Sequence, residues 1–191
     1  MSGSTAEVAQ AVADQLNRDG VIAELKPIAQ VTDISSYDAV VLGAPMILEW
    51  HHDMVNFIVK NQEALKSLPT AYFLTQLHLT KLPETEVGGV PVYLDLKLAQ
   101  APVHSEKLST SEKLGSPASC VGSTLKKAPM VKPLSIGFFG GELDYGKLKF
   151  FPWLFVKLII RGKEGDYRNW DAIREWTEII RPQLEKARGL N

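Results

Sequence analysis

Three short apolar runs constrain this chain more than any other feature. They are Ala39-Val40-Val41-Leu42 ending at Gly43, Ala71-Tyr72-Phe73-Leu74 after Pro69, and Leu134-Ser135-Ile136-Gly137-Phe138-Phe139 ending in Gly140-Gly141. A strand with one wet face alternates apolar and polar residues. A run without that alternation needs cover on both faces, the condition of a parallel strand between two helical layers. Between and around these runs the period changes to that of a helix. Thr5, Val8, Ala9, Val12, Ala13 and Leu16 share one face, with Ser4 or Thr5 as cap and Gly20 placed to stop the helix. Asp53 can cap a helix through Asn61. Trp170 to Arg181 carries Ala172, Ile173, Trp176, Ile179 and Ile180 on one stripe, with Asn169 as cap. Pro182 should end or kink that helix, because it cannot donate back to Glu178. Strands alternating with helices predict an α/β fold with a parallel sheet covered on both faces.

Two segments are less regular. Val21, Ala23 and Leu25 alternate with Ile22, Glu24 and Lys26 before Pro27, which predicts a half-buried strand near a sheet edge. Residues 75–134 are too many for a plain connection. Within them Val90 to Leu96 predicts a short strand, and Ser109 to Lys113 a short helix that Gly115 and Pro117 soon interrupt. At about 150 residues per domain, 191 residues predict one domain with an insertion-like middle.

Composition removes several classes of function. Lys and Arg number 21 against 22 Asp and Glu, a net charge of −1, so there is no electrostatic footprint for nucleic acid. The single cysteine, Cys120, rules out an intrachain disulfide and points to a reducing, cytoplasmic setting. The first residues lack the basic and apolar regions of a secretory signal, and no apolar run reaches the roughly 18 residues that span a bilayer. Phe150 to Arg161 is apolar on nearly every face and is flanked or punctuated by Lys147, Lys149, Lys157, Arg161 and Lys163. It reads either as a helix packed on the sheet or as a peripheral contact with a membrane surface. His51, His52 and Asp53 invite a metal reading. Adjacent side chains are expected to diverge and no second cluster stands at ligand spacing, so no metal is expected. Cys120 lies among small residues and reads as a packed thiol.

Ligands of open parallel sheets bind outside the carboxyl ends of the strands, and three segments fall there. Ser2-Gly3-Ser4-Thr5 precedes a helix, where free N–H groups and the helix dipole favour a phosphate. The same residues are also ordinary caps. Gly43 to His52 follows a buried strand and carries Met46, Ile47, Leu48 and Trp50. That apolar surface could cover a flat aromatic cofactor, or fold back on its own core. Thr75-Gln76-Leu77-His78 offers backbone amides and polar side chains after the next strand.

Taken in order, GSTAEVAQAVADQL resembles the phosphate loop and first helix of flavodoxin-like proteins, and YDAVVLGAPM their third strand and flavin-covering loop. KPLSIGFFGGELDYGKLKFFPWLFVKLII followed by GDYRNWDAIREW resembles the carboxyl end of the group that includes bacterial menaquinone-dependent protoporphyrinogen oxidase. The resemblance implies a flavodoxin-like three-layer sheet in the order 2-1-3-4-5 and FMN as cofactor. It assigns the phosphate loop to Ser2, Gly3, Ser4 and Thr5, and the ring-covering loop to Pro45, Met46, Ile47 and Trp50. The second flavin loop falls on Thr75, Gln76, Leu77 and His78, with Gly140 and Gly141 near the ring edge. It implies an oxidoreductase that passes electrons to a quinone or a redox protein. A carrier with no organic substrate and a flavin-free binding module are the alternatives. Family members also have an apolar first strand, central in the sheet, ahead of the phosphate loop, whereas this sequence starts inside that loop. Either that strand is missing or the sheet closes up in another way.

Overall fold

A computed structural model describes residues 3–18, 21–47, 49–104, 107–144, 146 and 164–186. The apolar helix expected at 150–161, together with Ser2 and Gly20, lies outside the described residues. In chain order the elements are α1 (Ser4–Leu16), β1 (Val40–Ile47), β2 (Glu49–Trp50), α2 (His52–Lys60), α3 (Gln62–Leu65), β3 (Thr70–Gln76), β4 (Leu79–Thr80), β5 (Glu86–Val87), β6 (Val90–Leu94), β7 (Ala99–Gln100), α4 (Thr110–Leu114), α5 (Pro117–Lys127), β8 (Ile136–Gly140), β9 (Glu142–Leu143), β10 (Gly165–Asp166) and α6 (Trp170–Lys186).

The three apolar runs form the centre of the sheet, whose order is β2-β1-β3-β8-β6-β5. β1, β3, β8 and β6 are mutually parallel, and a short antiparallel hairpin closes each end. The β5–β6 turn is Gly88-Gly89, with φ of 59° and 77°. Both residues of such a two-residue turn sit in the left-handed region, which glycine enters without strain.

Side chains alternate between faces, so each run feeds two cores. Leu42, Tyr72, Leu74, Ile136 and Phe138 pack with Met54 and Ile58 of α2, Leu65 of α3 and Val121 of α5. Ala71, Phe73 and Phe139 pack with Val8, Val12 and Leu16 of α1 and Ile173, Trp176 and Ile180 of α6. Glycines inside the strands make room for this second core. Gly43, Phe73 and Gly137 form one row across β1, β3 and β8. A Cβ on Gly43 would lie 1.9 Å from the Phe73 ring, and one on Gly137 would lie 2.7 Å from Phe139 and 3.0 Å from Trp176. Trp176 meets both rings edge-on and donates its indole N–H to Ser135 Oγ at 3.0 Å.

Several expectations are corrected by the structure. Val21 to Leu25 forms no strand. Among the described residues no strand pairs with Val40–Ala44 on the side away from β3, so an alternating segment there has no ladder to join. Asn17 supplies a substitute at one residue: its side-chain amide donates to Ala23 O at 3.1 Å and accepts from Ala23 N at 2.6 Å. Among the described residues the sheet does not close over this edge of β1. Pro117 does not merely interrupt a helix. It occupies the first turn of α5, where a missing N–H costs nothing. Pro182 does not end α6, which continues to Lys186. Leu184 is buried against the α1 face, and Arg181 bonds to Arg18 O and pairs with Glu185, so packing holds the last turn despite the lost backbone bond. Asn169 spends its side chain on Lys97 and Asp95.

Trp176 joins helix α6 to two strands at a fully buried position. Trp176→Ala should lower the unfolding free energy by about 3–5 kcal/mol, as large aromatic truncations do, with Trp176→Phe costing less. Chemical denaturation of the two variants measures the difference.

Candidate functional site

The carboxyl ends of β1, β3 and β8 meet the amino end of α1. Thr5 Oγ1 and Thr75 Oγ1 are 2.5 Å apart and both residues are buried. A Cβ on Gly141 would stand 3.3 Å from Ser4 Oγ, 3.7 Å from Thr75 Cβ and 3.9 Å from Gln76 N. Gly141 N donates to Gln76 O at 2.9 Å. Gly3, Ser4, Thr5, Thr75, Gln76 and Gly141 thus converge from three distant parts of the chain.

The chemistry of this cluster suits an anion. α1 is 13 residues long and has no side-chain cap at Gly3, whose own backbone is extended with open space around it. Its first turn places backbone N–H groups at the positive end of the helix dipole, beside the Ser4 and Thr5 hydroxyls. Glu7 in the first turn would oppose an anion, but Arg168 Nη1 pairs with it at 2.5 Å. Arg168 also pairs with Asp166 at 2.7 Å and lies 4.9 Å from the Trp170 ring. Hydrogen bonds to Asp166 first, then to Glu7, hold this guanidinium firmly protonated.

Other expected site residues are placed differently. Thr75 and Gln76 lie within β3 rather than after it, and both are buried. β1 runs on through Pro45, Met46 and Ile47 and turns back as β2, so the expected loop is largely a hairpin, with Met46 opposite Trp50. Trp50 is buried in the core, its ring 5.1 Å from Tyr72 and its N–H donating to Ala44 O at 3.2 Å. Met46 packs against the same core. Leu77 is half-buried. His78 turns toward α4, with Nε2 3.3 Å from Thr80 Oγ1 and its ring where a Gly115 Cβ would be. Gly140 lies under the Tyr167 backbone, whose carbonyl oxygen is 1.8 Å from where a Cβ would stand. That glycine serves close packing of the β9–β10 segment. Sequence reasoning missed Arg168 and Tyr167, because a contact made more than 160 residues from Glu7 leaves no local pattern.

The remaining polar groups sort by environment. Cys120 is buried, its thiol 3.5 Å from Gln76 Oε1, and burial pushes it up to about 12, so it is a neutral donor at pH 7. Gln76 Nε2 is buried and has no hydrogen-bond partner among the described residues. His51 and His52 do not diverge: their rings stack at 4.7 Å, and with Asp53 they bring donor atoms within 4.8 Å of one another. His51 Nδ1 accepts from Asp53 N at the start of α2, and His52 Nε2 is 2.9 Å from Asp53 Oδ1, so these groups already serve each other. Among the described residues no helix is long and apolar enough to cross a membrane.

An open parallel sheet covered by helices on both faces defines a doubly wound α/β protein, and the helix end and hydroxyls at its carboxyl edge have the chemistry that suits a phosphate group. The family model described as Flavodoxin domain matches residues 1–169, and the chain belongs to that family. No curated protein and no solved structure matches it significantly. Domains of this family generally bind FMN and carry electrons.

Glu112 sets the frame behind the 77–80 turn. Its carboxylate accepts from Ser109 Oγ and from the N–H groups of Val103 and Ser109, and these bonds, Ser109 Oγ first, hold it at about 2. A depressed carboxylate contributes stability above its ordinary pKa of about 4.3 and loses it as pH falls through the folded value. Glu112→Gln should therefore lower the melting temperature at pH 7. The gap from the parent should shrink between about pH 4.3 and pH 2 and close below, as read by thermal unfolding across that range.

Proposed function

We propose that this chain is an FMN-dependent oxidoreductase of the protoporphyrinogen-oxidase type, passing electrons to a quinone or a redox-protein acceptor. The observation that carries the cofactor assignment is the convergence of Gly3, Ser4, Thr5, Thr75 and Gly141 at the carboxyl edge of the sheet. The α1 N–H groups and the Ser4 and Thr5 hydroxyls would hold the phosphate. Of the hydrogens in the Thr5–Thr75 hydroxyl pair, one lies between the two oxygens and the other is free for a ligand. Gly141 keeps side-chain bulk away from Ser4, and Arg168 offsets the Glu7 charge beside the phosphate. The flavin, when bound, supplies the two-electron redox chemistry, while the protein supplies placement and electrostatics.

The substrate assignment rests on the likeness of KPLSIGFFGGELDYGKLKFFPWLFVKLII and GDYRNWDAIREW to the oxidase group. If 150–161 contacts a membrane surface rather than packing on the sheet, that contact would suit a quinone acceptor, which dissolves in the bilayer. A flavodoxin-type carrier is the simpler reading, and it would react with redox proteins alone.

Two measurements separate these readings. Anaerobic protoporphyrinogen should bleach the bound flavin, and added menaquinone should restore its colour; bleaching by reduced redox proteins alone would leave the carrier. Ser4→Ala should weaken FMN about 10- to 100-fold, the worth of a hydrogen bond to a charged group, and leave riboflavin binding unchanged. Equal losses for both flavins in a fluorescence titration would contradict the phosphate assignment.

A further inference from the structure

We propose that Arg168 is a positioning residue that lets the amino end of α1 prefer a phosphorylated over an unphosphorylated ligand, by holding the Glu7 carboxylate in a fixed ion pair. This role rests on the phosphate assignment at that helix end.

The amino end of α1 attracts two kinds of negative charge. Its dipole favours an anion outside the helix and equally an acidic side chain in the first turn. Glu7 is that side chain, so its charge competes with a phosphate for the same positive end. Two more carboxylates crowd the corner: Asp166 of β10, and Glu142, which stands opposite Asp166 in the β9–β10 ladder. One guanidinium answers them. Arg168 Nη1 reaches Glu7 Oε2 at 2.5 Å, while Nε and Nη2 hold the two oxygens of Asp166, each at 2.7 Å. Removing the guanidinium would add one net negative charge beside the helix end.

The backbone fixes where that cation stands. Tyr167 N donates to Gly141 O at 2.9 Å, and the Tyr167 carbonyl lies where a Gly140 side chain would be. Gly141 in turn borders Ser4, whose Oγ is 3.3 Å from where a Gly141 Cβ would stand. The segment carrying Arg168 is therefore docked on two glycines, one of which faces the first turn of α1. Arg168 N donates to Asp166 Oδ1 at 3.0 Å, and the guanidinium lies 4.9 Å from the Trp170 ring. Only 9% of the Arg168 side chain is exposed, against 59% for Glu7.

That asymmetry separates electrostatics from stability. A pair with so exposed a carboxylate contributes little to folding. Its effect on a bound anion is another matter, because a guanidinium withdrawn from water keeps its charge in one place, where salt screens it least. A ligand without a phosphate is indifferent to this charge. A ligand with one gains whatever repulsion Arg168 removes.

Titrating FMN and riboflavin by flavin fluorescence into the parent, Arg168→Gln, Glu7→Gln and the double variant tests this role. At low salt Arg168→Gln should weaken FMN about 3- to 10-fold, the scale of one unit charge near a protein surface. Glu7→Gln should tighten FMN by about 2- to 5-fold, and the double variant should return to within about twofold of the parent. Riboflavin should stay unchanged throughout, and the FMN differences should shrink in about 0.5 M salt. Arg168→Lys keeps the charge and gives up the fork, so it should stay close to the parent. If Arg168→Gln unfolds, Arg168→Lys and Glu7→Gln carry the comparison. An unmoved FMN-to-riboflavin ratio in Glu7→Gln, no recovery in the folded double variant, or equal losses of both flavins would each overturn the role of Arg168. A parent protein that binds both flavins equally would overturn the phosphate assignment itself, and this role with it.

Discussion

Parallel pairing of β1, β3 and β8 under cover on both faces is the constraint on which the rest of the molecule depends. A fully buried strand has to satisfy every N–H and C=O within the sheet and fill both faces with apolar side chains. The Gly43–Phe73–Gly137 row shows how closely these demands interlock: two glycines give up side chains so that aromatic rings from the neighbouring strands and α6 can occupy the space. The parallel order in turn puts every strand's carboxyl end on one edge. That edge is where α1 begins, and the convergence of Gly3, Ser4, Thr5, Thr75 and Gly141 is its consequence.

The same constraint explains the feature least like a finished sheet. β1 meets its requirement toward β3 but leaves Val41 and Gly43 facing a cavity. Residues 21–26 have the alternation of a strand and no neighbouring strand among the described residues, and Asn17 takes over the hydrogen bonds of Ala23. Local pattern and global topology conflict there, and the conflict is confined to one edge.

Much of this was legible in the sequence where the signal was periodic. The continuous runs gave the three central strands, and the helical stripes at Val8–Leu16 and Ile173–Ile180 gave the helices that cover them. What local pattern missed depends on partners. An alternating run at 21–25 is a strand only if another strand lies beside it. Pro117 and Pro182 look like breaks, yet one starts a helix and the other is carried by the packing of Leu184. Met46 and Trp50 look like an exposed apolar loop, but the hairpin returns Trp50 to the Ala44 carbonyl. In the site, Gly3 to Thr5 announced themselves as a helix start. The Thr5–Thr75 contact, the Arg168 pairing and the bed that Gly140 makes for Tyr167 are assembled by topology and leave no trace in spacing.

The proposed function depends on cofactor binding. The most direct measurement is a visible absorption spectrum of the purified protein after equilibration with FMN and desalting. FMN binding predicts a retained flavin spectrum at close to one FMN per chain, with the band structure sharpened by a fixed environment. A colourless, folded protein after the same treatment would contradict it.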